Sequence, residues 1–202
     1  MGYIAVVDYG VGNLKSVTNA LSYLGFQGKI TGDRAEVERA DAVILPGVGA
    51  FPDASGKLCA SGLDQVVRAQ AESKPLLGIC LGMQLLFDEG EEGRNCKGLS
   101  LVEGCVRKIG TQLKLPHIGW NSLSFQRECP IFKGLEEGVH VYFVHSYCGQ
   151  TRRKEDTAAV TDYGGPVLAA VHSGNVYGCQ FHPEKSGEAG LRILKNFGEL
   201  NR

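Results

Sequence analysis

Residues 74 to 87 read Lys74-Pro75-Leu76-Leu77-Gly78-Ile79-Cys80-Leu81-Gly82-Met83-Gln84-Leu85-Leu86-Phe87, and the architecture turns on how that run is divided. Leu76 to Ile79 is continuously apolar, which predicts a strand covered on both faces. Leu81 to Phe87 predicts a helix. Between them, Gly78-Ile79-Cys80-Leu81-Gly82 has the glycine-x-nucleophile-x-glycine form of a nucleophile elbow. A sharp strand-to-helix turn holds its central residue in a strained backbone conformation and presents the side chain. A Cβ at either glycine would collide with that turn. The centre here is a thiol instead of a hydroxyl. At a helix amino terminus the backbone dipole favours the thiolate, which is the nucleophilic form. The plainer reading is a buried cysteine whose glycines only let a helix pack on a strand.

The surroundings repeat the same alternation. Tyr3 to Asp8 predicts a buried strand, and Asn13 to Leu24 a helix with Leu14, Val17, Leu21 and Leu24 at helical spacing. Gln27 to Thr31 is strand-like, Ala35 to Ala40 helical, and Ala42 to Leu45 an apolar strand that breaks at Pro46-Gly47. Leu63 to Ala71 is an amphipathic helix. Strands alternating with helices predict an α/β fold: an open, mostly parallel sheet flanked by helices. From Leu99 the texture changes. Leu99 to Ile109, His140 to Tyr147, Thr157 to Thr161, Val167 to His172 and Val176 to Phe181 are strand-like, and Ser173-Gly174-Asn175 is a hairpin signal. A helix returns at Ala189 to Leu200. This carboxyl-terminal part is expected to be partly antiparallel and joined to the same sheet. Glu89 to Arg94 reads as a solvated charged loop.

The 202 residues suit one domain spanning 1–202, with no Pro- or Ser-rich linker. Twenty-one basic against 22 acidic side chains leave a net charge of −1, without the basic footprint of a nucleic-acid binder. The longest apolar run, Pro75 to Phe87, is shorter than the roughly 20 residues of a membrane span, and Met1 to Asp8 lacks the positive start of a secretory signal. Seven cysteines at irregular spacing form no C-x-x-C pair, so free thiols in a reducing cytoplasm are expected. No histidine cluster implies a metal, and no cofactor is implied. The turn Tyr9-Gly10-Val11-Gly12-Asn13 carries only a fragment of a dinucleotide fingerprint, with Lys15 where a third glycine belongs.

A thiol nucleophile needs a base and a group to orient it. His182-Pro183-Glu184 follows the last strand. In an extended segment residues i and i+2 face one side, so Glu184 can accept from one nitrogen of His182 while the other faces Cys80. Pro46-Gly47-Val48-Gly49 lies at the carboxyl end of an earlier strand, where open α/β sheets bind ligands. Its backbone N–H groups, with that of Leu81, suit an oxyanion.

Taken together, Gly78-Ile79-Cys80-Leu81-Gly82-Met83-Gln84, Pro46-Gly47-Val48-Gly49 and His182-Pro183-Glu184-Lys185-Ser186 resemble class I (triad) glutamine amidotransferases, whose fold is flavodoxin-like. The stretches Asp8-Tyr9-Gly10-Val11-Gly12-Asn13-Leu14, Pro116-His117-Ile118-Gly119-Trp120-Asn121 and Phe143-Val144-His145-Ser146-Tyr147 are similar to the glutaminase subunits of imidazole glycerol phosphate synthase, of histidine biosynthesis. The resemblance implies that Cys80 attacks the glutamine amide to form a thioester, that His182 shuttles protons and that Glu184 orients it. It implies Val48 and Leu81 as oxyanion donors, the Val48 peptide flipping to serve. It implies glutamine contacts from Gly47, Gly49, Gln84, Ser146 and Tyr147. Asn13, Trp120 and Lys185 match positions facing a partner. That partner is a (β/α)₈ cyclase or synthase subunit, of about 250 residues for that fold, forming a heterodimer. It takes ammonia through a protected channel to make imidazole glycerol phosphate and aminoimidazole carboxamide ribotide (AICAR). The remaining alternatives are a glutaminase serving anthranilate or pyridoxal phosphate synthesis, and a non-catalytic binding module on the same fold.

Overall fold

The computed structural model describes residues 2–200; Met1, Asn201 and Arg202, which the expected domain also spans, lie outside the described residues. In chain order the elements of the first half are β1 (Ile4–Val7), α1 (Leu14–Tyr23), β2 (Gly28–Thr31), α2 (Arg34–Arg39), β3 (Ala42–Gly47), α3 (Phe51–Ser61), α4 (Leu63–Ala71), β4 (Leu76–Cys80) and α5 (Leu81–Gln84). The second half contains β5 (Phe87–Gly90), β6 (Cys96–Lys97), β7 (Val102–Lys108), β8 (His117–Ser122), β9 (Ser124–Phe125), β10 (His140–His145) and β11 (Tyr147–Thr151). It ends with β12 (Thr157–Asp162), β13 (Pro166–Ser173), β14 (Val176–Cys179) and α6 (Gly187–Gly198).

The main sheet has eight strands in the order β2-β1-β3-β4-β14-β13-β12-β9. Pairing is parallel from β2 to β14 and antiparallel from there to β9. Both faces are dry. Ile4, Val6, Ile44, Leu77 and Ile79 pack with α1 and α6 residues such as Val17, Leu21, Ile193 and Phe197. Their neighbours Ala5, Val7, Val43, Leu45 and Leu76 pack on the other side with Val37, Phe51, Leu58, Val66 and Val67 of α2, α3 and α4. The two-residue alternation of a strand therefore divides one apolar run between two cores. This is the α/β architecture expected, with parallel strands first and antiparallel ones after.

Several local expectations change. Strand β3 does not break at Pro46-Gly47; it continues, with Pro46 opposite Ile79 and Gly47 opposite Cys80. β1 stops pairing at Ile44, so no strand on that side needs the N–H that proline lacks. The helix expected over Leu81 to Phe87 ends at Gln84, and Phe87 opens β5, which pairs with β7. Tertiary pairing here overrides an apolar run that suits either state. Helix α3 was not expected, because Pro52 and Gly56 interrupt its pattern, but proline in a first turn gives up only an N–H that has no helical partner. The run His140 to Tyr147 is two strands in different sheets, separated at Ser146. The later strands do not all join the main sheet: β11-β7-β5-β6 form a second sheet and β10-β8 a two-stranded ribbon. Glu89 and Gly90 belong to β5, and Glu92 is no free surface charge, since its Oε2 accepts from Phe51 N at 2.7 Å.

Candidate active site

Cys80 is the hinge between β4 and α5, with φ 54° and ψ −112°. A non-glycine residue at positive φ costs about 1–3 kcal/mol and persists only where its surroundings enforce it. The enforcement is visible. A Cβ on Gly82 would lie 1.8 Å from the Leu45 carbonyl oxygen, and one on Gly78 would lie 2.7 Å from the Met83 backbone. The short turn α5 is thus pressed into β3 and β4, and only glycine fits at both places. The helix expected to start here is a single turn, and a single turn contributes little macrodipole, so the groups that matter to the sulfur are those nearest it.

Those groups arrive from β14. Its register puts Gly178 beside Gly78 and Cys179 beside Ile79, so the chain leaves the sheet alongside Cys80. The last strand ends at Cys179, earlier than expected. Gln180 Nε2 then donates to Cys80 Sγ at 3.8 Å. His182 N donates to Tyr142 O at 3.0 Å, and Ser186 Oγ donates to His182 O at 2.7 Å, fixing the His182 backbone. His182 Nδ1 meets Glu184 Oε1 at 2.8 Å, with the two side chains 3% and 1% exposed. The spacing reaches this pair differently from the expected extended segment: His182 is extended, but Pro183–Lys185 is a turn of 3₁₀ helix that folds Glu184 back. Burial alone would push the His182 imidazole down; the Cys80 side chain and then Glu184 hold its proton and raise it to about 9. The imidazole is therefore braced by Glu184 and turned toward the Cys80 side chain.

A cavity of about 400 Å³ opens onto the sulfur, lined by Val48, Gly49, Cys80, Leu81, Gln84, Ser146, Tyr147, His182 and Lys185 among others. Every expected catalytic and oxyanion residue but Glu184 lines it, and Glu184 stands behind His182. Gly47 and Asn13 do not; they line a small cleft on the far side with Val48, His182 and Glu184. Trp120 is 56% exposed on β8 and meets Tyr142 edge-on at 6.2 Å, while Lys185 Nζ lies 6.0 Å above the same ring. Three residues were missed. Gln180 faces the sulfur, and its position two residues before His182, within the strand expected over Val176 to Phe181, is a signal that alternation supplies. His145 and Glu92 line the cavity with no local pattern to mark them. The described residues include no group of three His, Cys, Asp or Glu placed to hold a metal ion, and no helix among them is long and apolar enough to cross a membrane. All seven cysteines are unpaired thiols.

Residues 5–200 match the family model described as glutamine amidotransferase class-I. The chain is 50% identical over 198 residues to the imidazole glycerol phosphate synthase subunit HisH of Caldanaerobacter subterraneus subsp. tengcongensis, covering 98% of each chain. It is 51% identical over 195 residues to the subunit of the same name from Bacillus cereus, covering 96% of this chain and 93% of that one. Among solved structures, the structure of PurLQS from Thermotoga maritima superposes with a TM-score of 0.76 at 21% identity over all of both chains, which shows a shared fold. This chain belongs to the class-I glutamine amidotransferase family and, within it, to the imidazole glycerol phosphate synthase subunit HisH family.

Proposed function

We propose that this chain hydrolyses glutamine to glutamate and ammonia, with Cys80 as nucleophile, His182 as acid and base and Glu184 orienting His182. The observation that carries this reading is the convergence on one cavity of a strained Cys80 and an imidazole braced by a buried carboxylate at 2.8 Å. His182 takes the Cys80 proton as the sulfur attacks the side-chain amide carbon, and negative charge gathers on the amide oxygen. The Leu81 N–H and the N–H of Val48, once its exposed peptide turns inward, receive that charge. As the C–N bond breaks, His182 gives its proton to the leaving nitrogen, releasing ammonia and leaving a glutamyl thioester. Water then attacks the thioester carbon, His182 takes the water proton, and glutamate leaves as the thiolate returns. Gly49, Gln84, Ser146 and Tyr147 surround the volume the substrate would fill.

The reading extends to a second chain. Likeness at half identity to imidazole glycerol phosphate synthase subunits favours a (β/α)₈ synthase acceptor over anthranilate or pyridoxal phosphate synthesis. The ammonia would pass to that subunit across a face holding Asn13, Trp120 and Lys185, in a heterodimer of the cytoplasm. Glutamate release by the full chain, alone and with the synthase subunit, tests the chemistry. Cys80→Ala is expected to abolish release, and Glu184→Gln to lower it by roughly 10²-fold or more. Release by Cys80→Ala at the wild-type rate would defeat the reading. So would iodoacetamide labelling Cys80 no faster than the other cysteines, which is the outcome for a non-catalytic module.

A further inference from the structure

The ribbon of β8 and β10 has two faces. Ile118 and Trp120 point outward, 59% and 56% exposed, while His117 and His145 are paired across the strands and buried. The hydrogen bonds of the inner face locate every proton. The Tyr147 carbonyl only accepts, so His145 Nδ1 carries hydrogen and donates to it at 2.9 Å. His145 Nε2 then accepts from His117 Nδ1 at 3.1 Å. That leaves His117 Nε2 as an acceptor, and Asn121 Nδ2 supplies the donor at 3.3 Å. Asn121 cannot be turned over, because its Oδ1 accepts from Ser122 N at 2.8 Å and its Nδ2 also donates to Asp162 O at 2.8 Å. Protonating either ring would set N–H against N–H somewhere along the chain. Burial acts in the same sense, lowering His117 and holding His145 down to about 4.

The chain does not stop at Tyr147. The same carbonyl accepts from Gln84 Nε2 at 3.0 Å, and that amide also donates to Gln180 Oε1 at 3.0 Å. Gln180 Nε2 is the donor that faces the Cys80 sulfur at 3.8 Å. We propose that His117 and His145 are positioning residues: a neutral, one-way hydrogen-bond chain that fixes the Tyr147 carbonyl and, through Gln84 and Gln180, the N–H directed at Cys80. The inner face of the ribbon and the nucleophile then hold their places together. This rests on the reading of Cys80 as the nucleophile.

The test uses the full chain and two readouts: alkylation of Cys80 by iodoacetamide at pH 7, located by peptide mass spectrometry, and kcat and KM for glutamine hydrolysis. His117→Phe keeps a flat ring in the stack between Phe143 and Tyr163, whose ring centres lie 4.7 and 4.0 Å away, but removes the donor. It is expected to slow both alkylation and kcat by about tenfold with KM within about twofold, as misplacement of a reacting group does. His117→Asn returns an N–H to the Nδ1 position and is expected to recover most of both. His117→Gln, whose amide reaches the other ring position, is expected to behave as His117→Phe, and decides the matter if the latter fails to fold. In one chain the losses do not multiply, so His117→Phe added to His145→Asn is expected to cost nothing more. A broken-chain variant, His117→Phe or His117→Gln, as fast as the wild type, a His117→Asn as slow as His117→Phe, or independent losses in the double variant would each overturn the proposal. Alkylation needs no glutamine. A wild-type chain that releases no glutamate even with the synthase subunit present therefore sinks the glutaminase reading, and the alkylation rates still decide the role of the histidines.

Discussion

At the elbow, a Cβ on Gly82 would sit 1.8 Å from the Leu45 carbonyl oxygen; in the ribbon, a Cβ on Gly119 would meet nothing within 4 Å. The elbow is held by backbone wedged against backbone inside a sheet that is apolar on both faces. The ribbon has only two strands, exposes Ile118 and Trp120, and fills its inner face with His145 and with a His117 imidazole stacked between Phe143 and Tyr163. Steric confinement suits a nucleophile whose strained conformation must never relax. The thin ribbon is held instead by directional polar contacts on its inner face.

The same substitution separates the two regions most sharply. Gly82→Ala is expected to cost more than about 4 kcal/mol, because neither β3 nor α5 can retreat from the clash, and the chain is expected to lose its cooperative melting transition. Acid comes next and strikes the ribbon. His145 has an ordinary value of 6.5 when unfolded and about 4 in the fold, so only the unfolded chain takes up its proton between those limits. The His145 contribution therefore leaves stability unaffected above pH 6.5 and lowers it as pH drops from 6.5 to 4, by about 3 kcal/mol in all. Denaturant titrations across that range check it, and His145→Asn is expected to flatten the slope. His182 works in the opposite sense: raised to about 9, it stabilises the fold fully below pH 6.5 and ceases to do so as pH climbs through 9. Gly119→Ala follows, with φ 127° costing about 1–2 kcal/mol of backbone strain but no clash, visible as a small fall in Tm. Trp120→Ala is the smallest, within about 0.5 kcal/mol of the wild-type stability for so exposed a ring, while weakening affinity for a docked synthase subunit.

What sequence reading reached and missed divides along the same line. The elbow was legible because two glycines, an apolar strand and a thiol stand within five residues, and each restricts the backbone locally. The β-α alternation of the first half was legible for the same reason, since β1, β3 and β4 are each near-continuous apolar runs. His182 and Glu184 were legible as a pair, though a 3₁₀ turn brings them together in place of an extended segment. The ribbon was not. Strand β8 holds Gly119 and Trp120 among polar residues, and its pairing with β10 is a long-range choice that no local pattern announces. The His117–His145 contact joins positions 28 apart through that register, and Gln180 reaches Cys80 across a separation of 100 residues. Helix length failed at Phe87 because a buried apolar run serves a strand as well as a helix until its partner, Val102, is known.

If Cys80 serves only to release ammonia and does nothing else for the fold or the partner, its loss is bypassed by supplying ammonia directly. With the synthase subunit present, Cys80→Ala is measured twice for formation of the acceptor product, once with glutamine and once with an ammonium salt. Loss of the glutamine-driven reaction with the ammonium-driven one kept within about twofold is the predicted result. Loss of both, or survival of the glutamine-driven reaction, would contradict it.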